Sequence, residues 1–581
     1  SELYQPEVTP TTYRITDQLT LKTCCAFSAE VIHLQKLFDY SAKLSYVTGS
    51  HTLMVGWTGG NGPHETITTR NGNLSMRFGA TTVHADASGF GPNQVTLNLP
   101  TDQLEYMDMD SGLFVQDKWT FKRATVSAGF RFDWFIGSVG TEAVLPNPWL
   151  AAKTFDPIKN VPNWKDFSPR LGIAYDLFGN GKTALKFSAS RYVDPQTVGF
   201  ATAQGPIGRL TSSISLTWTD TNLDYTIFNP DGSVQASELA PIPASSTFGT
   251  LVPGTTRVNP EIQTGFDRRG YTWEFDGSVQ HELLPGMSVA LAYYRRLLGG
   301  NATSTQNLNQ GPSAYQGPYC INGPLDPRLP SGGGQQYCGI YERTAASYSV
   351  AADNYQTFLS DYLDQLGIRQ KNYRHGFDVT TRARIRNGGI VQGGVSISRA
   401  VSDTCYTQLL GNPQNLVSSV TDRSSCYNPT PFQPDLKLLA SYNVGYGIVA
   451  SGTFQYTPGP QRSATWTFTQ AIANANGFTI STAPGSTAAQ IASTTQSIDL
   501  LGGTSIYEPG LKQLDVRAAR TFRFGKDRLQ LMADLYNVFN SAWVFGQSGT
   551  FGTGATASAT WLRPTNVLSA RMFKIGAQFS F

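Results

Sequence analysis

The chain has 581 residues, of which only 15 % are charged and 12 % aromatic, and its formal net charge is +3. So small a charge, with no basic run, argues against a nucleic-acid binder, and the absence of any run of eighteen apolar residues excludes helical membrane spans. A mean hydropathy of −0.23 nevertheless suits a membrane wall made of strands, in which only alternate residues need be apolar.

The amino end, Ser1-Glu2-Leu3-Tyr4, lacks the charged and apolar regions of a signal peptide, so the chain is expected to start after processing or partway through a longer precursor. A first wall strand is predicted near Thr12–Leu21. The patterns near 73–84 and 212–219 are read as hairpins inside extracellular loops. Val126, Ala128, Phe130, Phe132, Trp134 and Ile136 share one face, opposite Ser127, Gly129, Arg131 and Asp133. Leu171, Ile173, Tyr175 and Leu177 oppose Arg170, Gly172, Ala174 and Asp176, and Leu185 and Phe187 oppose Lys186 and Ser188. Trp273, Phe275 and Val279 oppose Glu274, Asp276 and Gln280; Leu529, Leu531 and Leu535 oppose Arg528, Gln530 and Asp534. The last segment sets Phe573, Ile575, Ala577, Phe579 and Phe581 against Lys574, Gln578 and Ser580. One such segment would suit a soluble sandwich. Recurring along the chain, they predict strands with lipid on one side and a wet lumen on the other.

Tight turns rich in glycine, such as Gly179-Asn180-Gly181 and Gly525-Lys526-Asp527, alternate with long loops at roughly 194–271, 299–372, 402–433, 458–511 and 541–568. Bacterial barrels have short periplasmic turns and long extracellular loops. Counting back from a periplasmic Phe581 gives about sixteen wall strands, provided that 73–84 and 212–219 lie off the wall. The fold class is therefore an all-β, transmembrane antiparallel barrel in the bacterial outer membrane. Trp134, Phe187, Phe275, Leu531 and Ile575 are expected to face lipid, and Asp133, Lys186, Asp276, Asp534 and Lys574 the lumen.

The six cysteines lack the paired spacing of a zinc site, and the six histidines are scattered. Cys320 is expected to pair with Cys338 and Cys405 with Cys426 in extracellular loops, as suits an oxidising compartment. Adjacent Cys24 and Cys25 are hard to join without strain and are left open. Asp108-Met109-Asp110 lacks the glycine and glutamate of a calcium loop and reads as a solvated loop edge. No nucleophile elbow or phosphate loop is found, so no catalysis, cofactor or metal is expected. Tyr315, Tyr319, Tyr337 and Tyr341 are candidates for a substrate-docking surface, with packing among the loops as the equal alternative. The inward charges could line a path, but pairing across the wall is favoured.

Several stretches together resemble TonB-dependent outer-membrane transporters of the Oar-like group, whose precursors begin with a carboxypeptidase-regulatory-like domain. They are Gly112-Leu113-Phe114-Val115-Gln116-Asp117-Lys118-Trp119, Ser127 to Asp133, Phe167 to Asp176 with Gly179 to Thr183, Asn259-Pro260-Glu261, and Leu535-Tyr536-Asn537-Val538-Phe539-Asn540 before a terminal phenylalanine. The resemblance covers roughly 40–300 and 510–581. It implies a barrel of about twenty-two strands around a plug, a scarce substrate bound at the outer face, and TonB pulling from the periplasm. It also implies that Phe579 and Phe581 carry the signal read by the barrel-insertion machinery. No plug, TonB box or regulatory domain is visible, so residues 1–581 are expected to be the carboxyl-terminal part of the barrel, with plug and first strands encoded upstream. The final strand and the strand near Thr12–Leu21 would each then pair with a segment outside the chain. Partners implied are lipid, the plug, the TonB system, and surface or periplasmic proteins. The competing readings are a structural or adhesive envelope component anchored by the barrel, and a passive porin.

Overall fold

The computed structural model describes residues 12–18, 22–80, 90–222, 224–251, 256–299, 303–307, 312–350, 354–358, 372–385, 388–403, 427–502 and 506–581. Fifteen antiparallel wall strands follow one another as a meander. They are β1 (Glu30–Gln35, continued by Phe38–Thr48), β2 (His51–Thr69), β3 (Thr101–Phe121), β4 (Ala124–Val139), β5 (Asn163–Asp176), β6 (Thr183–Val193), β7 (Tyr271–Leu284) and β8 (Met287–Gly299). Then come β9 (Asn372–Ile385), β10 (Gly389–Asp403), β11 (Gln433–Gly445), β12 (Ile448–Thr457), β13 (Leu511–Phe524), β14 (Asp527–Tyr536) and β15 (Met572–Ser580).

Register carries the alternation from strand to strand. Leu113 lies opposite Phe132, which lies opposite Phe167; Leu291 opposes Val379, which opposes Val395; Leu531 opposes Ala577. The intervening residues form the polar face. Phe187, Leu531 and Ile575 are exposed on the apolar side, as alternation predicts, whereas Asp133 and Asp534 are buried on the other. Trp134 lies on the apolar side too, but its indole donates to Asn163 Oδ1 at 2.8 Å and Lys165 sits 5.0 Å over its ring, a setting typical of the membrane boundary.

Every second connection is short: 49–50, 122–123, 177–182, 285–286, 386–388, 446–447 and 525–526. Gly286 and Gly525 take φ of 84° and 65°, a region open to glycine without a Cβ clash, so the chain can reverse within two residues. The other connections are long and lie on the opposite side. Strands β2 and β3, of 19 and 21 residues, exceed the roughly ten residues a tilted span needs, so the wall rises above the membrane. At the top of β2, Gly62 faces the break in β1; a Cβ there would lie 1.8 Å from the Lys36 carbonyl oxygen.

The predicted first strand is placed differently. Arg14–Asp17 is not in the wall; it runs parallel to Leu74–Ala80 and antiparallel to Thr23–Cys24 in a separate five-stranded sheet with Phe90–Asn98 and Ser213–Thr217. Among the described residues the wall accordingly has fifteen strands where about sixteen were expected, and Leu74–Ala80 and Ser213–Thr217, from the two segments read as loop hairpins, lie off it. Among the described residues, β15 pairs only with β14, and β1 only with β2. β1 and β15 point the same way.

Two lobes with their own cores stand on the extracellular side. One buries Leu74, Met76, Val95, Leu97, Val144, Trp218 and Ile227, drawn from the connections after β2, β4 and β6. The other buries Ile321, Ile340, Trp466, Phe468, Phe551 and Trp561, from the connections after β8, β12 and β14. The described parts of the connections that build them are thus folded bodies.

Candidate functional site

The polar face of the wall carries an open cavity. A cavity of about 780 Å³ draws its lining from seven consecutive strands, β7 to β13, and includes Gln280, Thr380, Arg382, Gln392, Lys437, Gln455 and Asp515. These residues stand at lumenal positions because each is one step out of phase with the apolar row. Most lumenal charges are engaged with the wall itself. Arg131 Nε donates to Asp133 Oδ1 at 2.6 Å and its Nη2 to Thr58 Oγ1 at 2.9 Å. Arg517 holds both oxygens of Asp534, at 2.5 and 3.0 Å, a bidentate fork. Lys186 donates to Gln280 at 2.8 Å, and Ser188 to Asp276 at 3.0 Å. Asp515 accepts from the Asn537 amide at 2.7 Å, and Asp176 caps the turn at Gly179 and Gly181. Arg517 and Asp534 pair opposite charges across strands, as favoured; Arg131 and Asp133 pair along one strand, and the other charges meet neutral groups. Asp108 and Asp110 lie inside β3 beside a bulge rather than on a loop edge.

A salt bridge at the top of β5 had no signal in the local pattern. Asp166 and Arg269, both buried, meet at 2.6 Å, and Trp164 beside them donates to the Ile262 carbonyl. This pair fixes the end of the 194–270 connection to the rim. Taking one partner away would strand a buried charge, at a cost of roughly 3–5 kcal/mol.

The candidate tyrosines lie in the second lobe, on the hairpin Tyr315–Asn322 and Gln336–Arg343. Cys320 and Cys338 are bonded across it, as predicted, with S–S 2.06 Å. Tyr319 stacks on Phe478, ring centres 5.0 Å apart, and packs against the lobe core. Tyr337 also packs there and donates to the Leu500 carbonyl at 2.8 Å; burial pushes its pKa up to about 12. Burial likewise raises the pKa of Tyr315, beside Arg343, while Tyr341 is half-buried on the same hairpin. Cys405 and Cys426 lie outside the described residues.

A second concavity, of about 840 Å³, opens in the first lobe. Tyr13, Ile15, Met76, Tyr225 and Phe228 give it an aromatic lining, with Asn73 and Asp224 as polar points. Tyr13 and Phe228 pack at 5.5 Å, and Tyr225 is 54 % exposed. Cys25 lines it as well, and Cys24 and Cys25, left open from sequence, are joined to each other. The floor is tied by Glu238, which accepts from Thr221 and Asn222 amides at 2.8 and 3.2 Å, and by Asp224, which accepts from Gln235 Nε2 at 2.7 Å. Such a mixture of aromatic faces and few polar groups suits a small organic ligand. Tyr13 and Phe228, some two hundred residues apart, could not be joined from the sequence.

The outer membrane transporter YddB from Escherichia coli superposes with a TM-score of 0.46 at 12 % identity, over 98 % of this chain and 58 % of that one. The ferric-catecholate import receptor Fiu, also from Escherichia coli, gives 0.43 at 10 % identity, covering 94 % and 55 %. The siderophore receptor PiuA from Acinetobacter baumannii gives 0.38 at 11 % identity, covering 94 % and 64 %. This chain therefore spans a little over half the length of those proteins. No curated protein matches it. The outer membrane beta barrel domain family matches residues 23–446, most of the chain, from just before β1 to the end of β11. With its alternating wall, short turns on one side and folded loops on the other, the chain belongs to the outer membrane beta barrel domain family and resides in the bacterial outer membrane.

Proposed function

We propose that this chain forms most of the wall and the outer binding surface of a TonB-dependent transporter that takes up a scarce substrate. The observation that supports this reading most is the pair of extracellular lobes, each with a buried core, one of them carrying an aromatic-lined cavity of about 840 Å³. A passive pore gains nothing from a preformed pocket above its mouth; an importer of a dilute substrate does. Substrate is held by the cavity at Tyr13, Tyr225 and Phe228, with the hairpin tyrosines Tyr315, Tyr319, Tyr337 and Tyr341 shaping the opposite lobe. The concave polar face accommodates a plug, and the plug with an odd number of further strands comes from polypeptide outside these residues. Seven such strands would complete a barrel of twenty-two, the size that the Oar-like resemblance implies.

The test uses the full-length protein. It is expected to be retained by the immobilised carboxyl-terminal domain of TonB and to leave vesicles impermeable to small sugars in a swelling assay. Swelling without TonB retention would replace this reading by a passive porin, and neither signal would leave an envelope anchor.

A further inference from the structure

We propose that the outer wall carries a specific site for a phosphorylated lipid of the outer leaflet, built from Arg295, His375 and Arg399. These residues break the apolar parity. Arg295 on β8 lies opposite His375 on β9, which lies opposite Arg399 on β10, so three neighbouring strands place them in one row. The row is on the lipid side, because the same positions one step down hold Tyr293, Phe377 and Ile397, and two steps down Leu291, Val379 and Val395.

Its height follows from the strand rise. Arg295 is eight residues from the start of β8 and His375 ten from the end of β9, both counted from the periplasmic turn. At about 3.3 Å per residue and a tilt near 40°, that is roughly 20–25 Å, the upper edge of the apolar band. A charge there costs little, about 0–1 kcal/mol, whereas at the midplane it would cost about 2–4 kcal/mol.

The row is also organised. The Arg295 guanidinium lies 4.6 Å over the Tyr373 ring, and that of Arg399 lies 5.1 Å over Phe432. Arg399 Nε donates to His375 Nε2 at 3.0 Å, so that nitrogen carries no proton, and Tyr293 Oη is 3.4 Å from Nδ1. Stacking fixes each guanidinium plane and leaves N–H edges for an acceptor. Among the described residues neither arginine pairs with a carboxylate, unlike Arg131, Arg462 or Arg517. Two fixed guanidiniums above an apolar wall complement a phosphate with acyl chains below it, a headgroup on Arg295 and Arg399 and tails along Phe377, Val379, Leu291 and Val395.

The test compares the full-length protein with Arg295→Gln/Arg399→Gln and with Arg374→Gln/Arg382→Gln, whose lumenal arginines stand on the same sheet. Each is placed in phosphatidylcholine nanodiscs doped with a bisphosphorylated glycolipid, and bound lipid is counted by native mass spectrometry. Heat-dependent gel migration confirms that each variant is folded. Loss of two charge-assisted forks is expected to lower occupancy by about tenfold or more in the outward pair, with the lumenal pair unchanged. Millimolar inorganic phosphate is expected to displace nothing, since it lacks the tails. Equal occupancy in both pairs, or displacement by inorganic phosphate, would overturn the proposal.

Discussion

Arginine in place of Val379 and of Thr380, neighbours on β9, tests the assignment of faces on which the architecture rests. Val379 is 45 % exposed among Leu291 and Val395, whereas Thr380 lines the wet cavity with Gln392 and Arg382. Val379 stands six residues from the periplasmic end of β9. That is roughly 20 Å along the strand and about 15 Å along the membrane normal, near the midplane. Val379→Arg is therefore expected to cost about 2–4 kcal/mol, or roughly 30- to 900-fold in the folding equilibrium. Thr380→Arg enters an aqueous, polar surface and is expected to change stability by no more than about 0.5 kcal/mol. Urea unfolding of the full-length protein in phosphatidylcholine vesicles, followed by tryptophan fluorescence, measures both. If Thr380→Arg costs as much as Val379→Arg, the two faces of the wall are wrongly assigned and the lumen is not where the cavity lies.

Replacing both Cys320 and Cys338 by serine opens a loop with a sequence separation of 18 and is expected to weaken the hairpin by about 3 kcal/mol, read as faster proteolysis within 315–343. Trp466→Ala empties a site 1 % exposed, where the indole donates to the Gly554 carbonyl, and is expected to cost about 3–5 kcal/mol, detected as hydrogen exchange rising through the second lobe while the wall stays protected. Glu142, buried in the first lobe near Glu105 and Asp102, accepts from the Ile207 amide at 2.8 Å; burial raises its pKa from 4.5 to about 7. A raised carboxyl pKa favours the folded lobe when protonated, so stability falls as pH rises from 4.5 through about 7, by roughly 3 kcal/mol in all. Glu142→Gln is expected to slow exchange in residues 199–210 at pH 8 and to change nothing at pH 4; an equal effect at both would refute the titration. Deleting Phe581, which is 99 % exposed, is expected to lower outer-membrane levels without altering ligand binding at Tyr225.

What was legible in the sequence was whatever depended on neighbours two residues apart. Phe130, Phe132 and Trp134 announce their face by spacing alone, and the turn glycines mark the reversals, so wall, register and sidedness follow from local pattern. The segment at 12–21 misled for the same reason. Tyr13 and Ile15 alternate with Arg14 and Thr16 as a wall strand would, yet they pack, with Phe228, against the Leu74 and Met76 core of an extracellular lobe. Alternation reports one apolar face; whether lipid or protein covers it is decided by residues sixty or two hundred positions away. The lobes were hidden by that separation, because Trp466, Phe551 and Ile321 belong to three different loops and meet only after the wall has brought the loop ends together. One signal does lie in the local pattern: Arg295 and Arg399 stand at apolar positions of otherwise regular strands. Beside lumenal charges that find partners, a cation on the apolar parity with no carboxylate at hand has lipid, headgroup or another chain left to take its charge, and its height on the wall selects the headgroup.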